Sequence, residues 1–79
     1  SPHPTVDHIT VEMKNFADTV DAQVKIFNVL GQEVMSEVAE FSPSVTNSFN
    51  VNNLPPGTYF LNIQSGGQSK TKQFVKDKN

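Results

Sequence analysis

The sequence predicts an all-β domain, a β-sandwich built from short, mainly antiparallel strands. Apolar and polar residues alternate over short runs, as at Ile9, Val11 and Met13 or at Tyr59, Leu61 and Ile63. Turn-forming residues separate these runs at Asn28-Val29-Leu30-Gly31, at Asn52-Asn53-Leu54-Pro55-Pro56-Gly57 and at Ser65-Gly66-Gly67-Gln68. The chain has 79 residues, 35% of them hydrophobic, with a mean hydropathy of −0.39. Such a chain forms one domain, residues 1–79, with a thin core that two short sheets fill better than a helical bundle. Six Phe and one Tyr supply much of the buried area, each aromatic covering roughly 150–250 Å².

Ser1-Pro2-His3-Pro4 is extended, because each proline fixes its own φ and keeps its predecessor out of the helical region. His8 to Lys14 is the first strand: Ile9, Val11 and Met13 share one face, and His8, Thr10, Glu12 and Lys14 the other. Asn15 to Thr19 reads as a loop carrying one buried aromatic, Phe16. In the second run Val20, Ala22, Val24 and Ile26 point one way. Asn28 and Gly31 then suit the first and last positions of a type I turn closed by a left-handed glycine, so the chain doubles back.

The third segment, Gln32 to Glu40, carries two signals. Leu30, Val34, Val38 and Phe41 recur at helical spacing, among good helix formers. Strand is preferred, because an N-cap is missing and a short isolated helix is marginal. Val45, Asn47, Phe49 and Val51 share a face and give the fourth strand. Pro56 and Gly57 fit the central positions of a type II turn. Thr58 to Gln64 is the fifth strand, with Tyr59 close enough to the turn for its hydroxyl to seek backbone, as in a tyrosine corner. A two-residue loop at Gly66-Gly67 leads to the sixth strand, Ser69 to Val75 or Lys76. A seventh strand has room near Phe16 or Val45.

No chemistry of catalysis is recognisable. His3 and His8, with Asp7, fall short of a metal site that needs a third fixed ligand, and read as solvated histidines. No serine sits in a nucleophile-elbow context. Glu33, Glu37 and Glu40 read as solubilising charges, with Glu33 and Glu37 on one face of the strand and Glu40 on the other. Gly66-Gly67 precedes a strand, whereas a phosphate cradle needs a helix N-terminus. With no cysteine, disulfides and thiolate metal sites are excluded. No apolar run is long enough for a transmembrane segment. We expect no cofactor, no metal and no enzymatic activity.

Charge is distributed unevenly. The formal net charge of −2 argues against nucleic acid as partner. All cationic side chains are lysines, and Lys70, Lys72, Lys76 and Lys78 cluster in the last ten residues. That tail is +3, against −5 for residues 1–69. Lysines on a closing strand have two compatible roles: they protect an exposed edge from aggregation, or they flank an edge that a partner reads.

Four stretches, in order along the chain, resemble the type A C-terminal sorting domain of type IX (Por) secretion cargo. They are Pro2-His3-Pro4 leading into the first strand, Ile26-Phe27-Asn28-Val29-Leu30-Gly31-Gln32-Glu33-Val34, Leu54-Pro55-Pro56-Gly57-Thr58-Tyr59-Phe60-Leu61, and Thr71-Lys72-Gln73-Phe74-Val75-Lys76. The departures from the family pattern are Ser1 for an aromatic, His3 for Asn, and Gln73 where a second Lys is common.

The resemblance implies an immunoglobulin-like sandwich of about seven strands at the C-terminus of a larger cargo, and strand for Gln32 to Glu40. It also implies export through the periplasm to the cell surface or exterior of a Gram-negative bacterium. The partners it implies are the outer-membrane translocon, a surface sortase that removes the domain, and the upstream cargo. Lys70, Lys72, Phe74, Val75 and Lys76 are the expected recognition residues; Gly31, Leu54, Gly57 and Tyr59 are the expected structural ones. The main alternative is an immunoglobulin-like adhesion or carbohydrate-binding module appended to a secreted enzyme, with Phe27 and Phe60 as its aromatic platform. A plain spacer between domains is a third reading.

Overall fold

The alternating runs become six strands in the computed structural model, which describes residues 7–11, 19–42 and 46–77. These are β1 (His8–Val11), β2 (Val20–Asn28), β3 (Glu33–Phe41), β4 (Asn47–Asn50), β5 (Gly57–Ser65) and β6 (Gln68–Lys76). Among the described residues there is no helix, so strand is the correct choice for residues 33–41. The helical stripe seen in the sequence has no meaning in space: Phe41 is buried while Leu30 and Val38 are exposed. Met13, Phe16 and Val45, and with them both places offered for a seventh strand, lie outside the described residues.

Two antiparallel sheets form the sandwich, one pairing β1 with β4 and the other ordered β3-β2-β5-β6. One core cluster draws on both. Ile9, Val11, Phe49 and Val51 come from the smaller sheet and its end; Ala22, Val24, Ile26, Phe41, Tyr59, Leu61, Ile63 and Phe74 come from the larger. The faces expected for β2 and β5 are therefore the ones buried, since period-two alternation is fixed by the pleat. Phe41 and Phe49 meet between the sheets at a ring-centroid distance of 6.4 Å. An aromatic contact of this kind adds about 0.5–1.5 kcal/mol to what burial alone supplies.

Turn chemistry sets the pairing. Gly31 N–H donates to the Asn28 carbonyl at 3.0 Å, and Gly31 has a φ of 81°. The Asn28 side-chain oxygen also accepts from the amides of Leu30 and Gln32, both at 3.0 Å. This is the type I turn with left-handed closure that the sequence predicts. Gly66 and Gly67, with φ of 54° and 83°, make the two-residue loop of the β5–β6 hairpin, as type I′ geometry requires.

The Pro55-Pro56-Gly57 segment differs from the expected type II turn. The turn hydrogen bond lies earlier, from the Leu54 amide to the Val51 carbonyl at 3.0 Å. Gly57 has a φ of 156°, far from the roughly +80° of a type II third position, and it already opens β5 opposite Lys76. Neither proline can donate a turn hydrogen bond, and the chain bends at Leu54 and Pro56 before entering the strand at Gly57. Leu54 packs, half-buried, against the core at the turn itself.

A second difference concerns the acidic segment. Ile26 pairs with Met35 but Phe27 pairs with Glu33, so a bulge at Val34 shifts the register. The extra residue returns Glu33 to the outer face, where its carboxylate lies 3.4 Å from the Lys25 ammonium. Glu33 thus shares its face with Glu40, which pairs with Asp21. Glu37, opposite Val24, stands on the core-side face at the sheet edge.

Candidate functional site

The expected recognition strand is an outer strand of the larger sheet. β6 pairs with β5 along its whole length, and among the described residues no strand lies on its other side. Tyr59, Leu61 and Ile63 point into the core, and their partners Phe74, Lys72 and Lys70 must share that face. Lys76, opposite Gly57, belongs to the same row. One face of β6 therefore carries three lysines and a phenylalanine.

Those four side chains meet different surroundings. Phe74 is 3% exposed and stacks on Tyr59 with ring centroids 5.6 Å apart. Lys76 is 2% exposed, with its ammonium donating to the Asp77 carbonyl at 2.8 Å. Lys70 and Lys72 are exposed, and Val75 is half-buried on the outer face. The structure thus brings Lys70 and Lys72 together on an accessible edge, while Phe74 and Lys76 belong to the packed end of the strand.

The reason is the width of the smaller sheet. The two described strands of that sheet, at about 4.8 Å spacing, cannot cover four. The central strands β2 and β5 are buried along their core-side faces, but each outer strand is buried only near its C-terminal end, at Phe41 on β3 and at Phe74 and Lys76 on β6. These ends lie at diagonally opposite corners. The other two corners, around Glu37 and around Lys70 and Lys72, stay open.

Two supports hold the β6 edge. At its open end the Asn62 amide donates to Ser69 Oγ and Thr71 Oγ1, both at 2.9 Å, fixing β6 on β5 from the outer face. At its packed end the Tyr59 hydroxyl donates to the Pro55 carbonyl at 2.5 Å. A buried ring with its hydroxyl returned to backbone four residues upstream is the expected tyrosine corner. Gly57 lets the chain enter β5 beneath it with a positive φ. Phe27 and Phe60, the candidate platform of the alternative reading, pair across β2 and β5 on the outer face and are both half-buried.

Among the described residues no group of three His, Cys, Asp or Glu is placed to hold a metal ion. No described helix is long and apolar enough to cross a membrane. His8 Nδ1 lies 3.1 Å from an Asp7 carboxylate oxygen, with both side chains more than half exposed, and His3 lies outside the described residues. Sequence reasoning treated Glu37 as a dispersed surface charge and missed its core-side position. Only counting the cross-strand partners of β2 places it there.

No curated protein and no solved structure matches the chain. A family model does: that of the secretion system C-terminal sorting domain, over residues 2–77. The match spans both sheets and every turn described above, including the hairpin closed by Gly31, the Leu54–Tyr59 corner and the closing strand. The chain belongs to the secretion system C-terminal sorting domain family, as its likeness to type IX cargo tails implied.

Proposed function

We propose that this domain is a non-catalytic address on an upstream cargo, read by the type IX outer-membrane translocon and then removed by a surface sortase. The observation that carries the proposal is the family match over residues 2–77. Delivery to the cell surface or the extracellular space follows from membership; the proposal adds a Gram-negative host and a removal step.

Within this reading the recognition residues divide by location. Lys70 and Lys72 offer charge on an edge that no described strand pairs, and Val75 adds a half-buried apolar contact. The exposed backbone of β6 supplies hydrogen-bonding groups for strand addition by a partner. Phe74 and Lys76 hold the strand in position from within the packed end.

The test is a passenger fused to residues 1–79 and expressed in a host that has the translocon. Surface delivery of the passenger is the expected result. Retention in the periplasm, together with calorimetrically measured glycan binding by the isolated domain, would instead favour the adhesion or carbohydrate-binding module.

A further inference from the structure

We propose that a second copy of this chain extends the four-stranded sheet, the β6 edge of one molecule pairing with the β3 edge of the next. The proposal stands on the sheet geometry and does not depend on the sorting role.

Both edges are open among the described residues, and both strands are nine residues long. Each step in the order β3-β2-β5-β6 is antiparallel, so β3 and β6 run in opposite directions. A copy displaced sideways therefore presents its β3 to β6 in the antiparallel sense, with core-side faces aligned. Asn47 already donates its side-chain amide to the Glu40 carbonyl at 2.9 Å, which leaves the stretch before Glu40 for pairing.

Charge selects the partner edge. Inward-pointing charges on edge strands ordinarily block sheet-to-sheet association. Here the blocking charges have opposite signs: Glu37 on β3, and Lys70 and Lys72 on β6, all exposed and all on the core-side face. No ion pair engages any of the three among the described residues. A two-fold β6–β6 contact sets lysines against lysines, and a two-fold β3–β3 contact sets Glu37 against Glu37; like charges across strands are destabilising. Only β6 against β3 brings opposite charges together.

The side chains also agree in register. With Lys72 opposite Glu37, Phe74 falls opposite Met35 and Thr71 opposite Val38, which is 67% exposed. Apolar thus meets apolar at Phe74 and Met35 on the core-side face, and Lys70, opposite Ala39, stands diagonal to Glu37. The contact is heterologous and does not close on itself, so copies add in open rows. It rests on exposed ion pairs and is accordingly weak and sensitive to salt.

Sedimentation velocity of the 79-residue chain, over a concentration series at about 0.02 M and about 0.5 M salt, tests this. At low salt the weight-average mass rises with concentration and passes the dimer value; at high salt the association weakens by about fivefold or more. E37K and K70E/K72E, both changed only at exposed side chains, each remain monomeric alone, because each then carries like charges on its two edges. An equimolar mixture of the two regains association. Monomer at every concentration overturns the proposal. So does a closed dimer indifferent to salt and to both variants, or a mixture that stays monomeric while the unmodified chain associates.

Discussion

The two ends of β6 share one strand, one face and one residue type, yet they live in different surroundings. Lys70 and Lys72 stand in solvent, whereas Phe74 and Lys76, two and four residues further on, are almost fully enclosed. Alternation decides which way a side chain points; whether anything covers it depends on the opposing sheet. Among the described residues a two-stranded layer lies over a four-stranded one and two corners stay bare, with Glu37 at one and Lys70 and Lys72 at the other. The packed end ties β6 to the core, and the open end stays accessible to solvent.

The largest expected effect comes from cutting into the packed end. Phe74→Ala removes a buried ring stacked on Tyr59 and costs about 3–5 kcal/mol. A domain of this size has a total stability of about 4–12 kcal/mol, so urea denaturation should show a large fall in the midpoint, reaching complete unfolding at the low end of that range. A loss below about 1 kcal/mol would break the comparison, because it would mean that this end is no better packed than the other.

Gly57→Val comes next, at about 1–3 kcal/mol. A Cβ at Gly57 meets nothing closer than the Tyr59 ring at 4.0 Å, so the cost comes from the φ of 156° and not from crowding. Gly57→Ala should therefore lose most of the same stability, and thermal melts of the pair separate strain from bulk. Tyr59→Phe keeps the ring and strands the Pro55 carbonyl; its midpoint in urea should fall by the equivalent of about 1 kcal/mol. The smallest effect belongs to the open end: Lys70→Ala and Lys72→Ala should change stability by less than about 0.5 kcal/mol. A larger loss there would show that these lysines support the fold.

Much of this was legible in the residues, for identifiable reasons. Period-two alternation in β2 and β5 is a local signal, and it placed Val24, Ile26, Leu61 and Ile63 in the core. Asn28 and Gly31 specify their turn through their own side-chain and backbone preferences, and Tyr59 lies where its hydroxyl can reach the preceding loop. The rest depended on non-local geometry. Nothing in Gln32-Glu33-Val34 marks a bulge, so Glu33 falls on the face of Glu40 and not on that of Glu37, whereas Glu37 and Glu40 do take opposite faces. Pro56-Gly57 looks like a turn by composition, but the hydrogen-bonded turn lies earlier, between Val51 and Leu54, and Gly57 already pairs with Lys76. The division of the closing strand into buried and exposed halves reflects the width of another sheet, which β6 itself does not encode.

Export of a passenger fused to the unmodified domain, compared with the same fusion carrying K70E/K72E, tests the central claim most directly in a host with the translocon. Both domains should be folded by circular dichroism. The unmodified fusion should reach the cell surface, and the variant should accumulate in the periplasm. Equal surface delivery of the two would contradict the assignment of the open end of β6 as the surface that the export machinery reads.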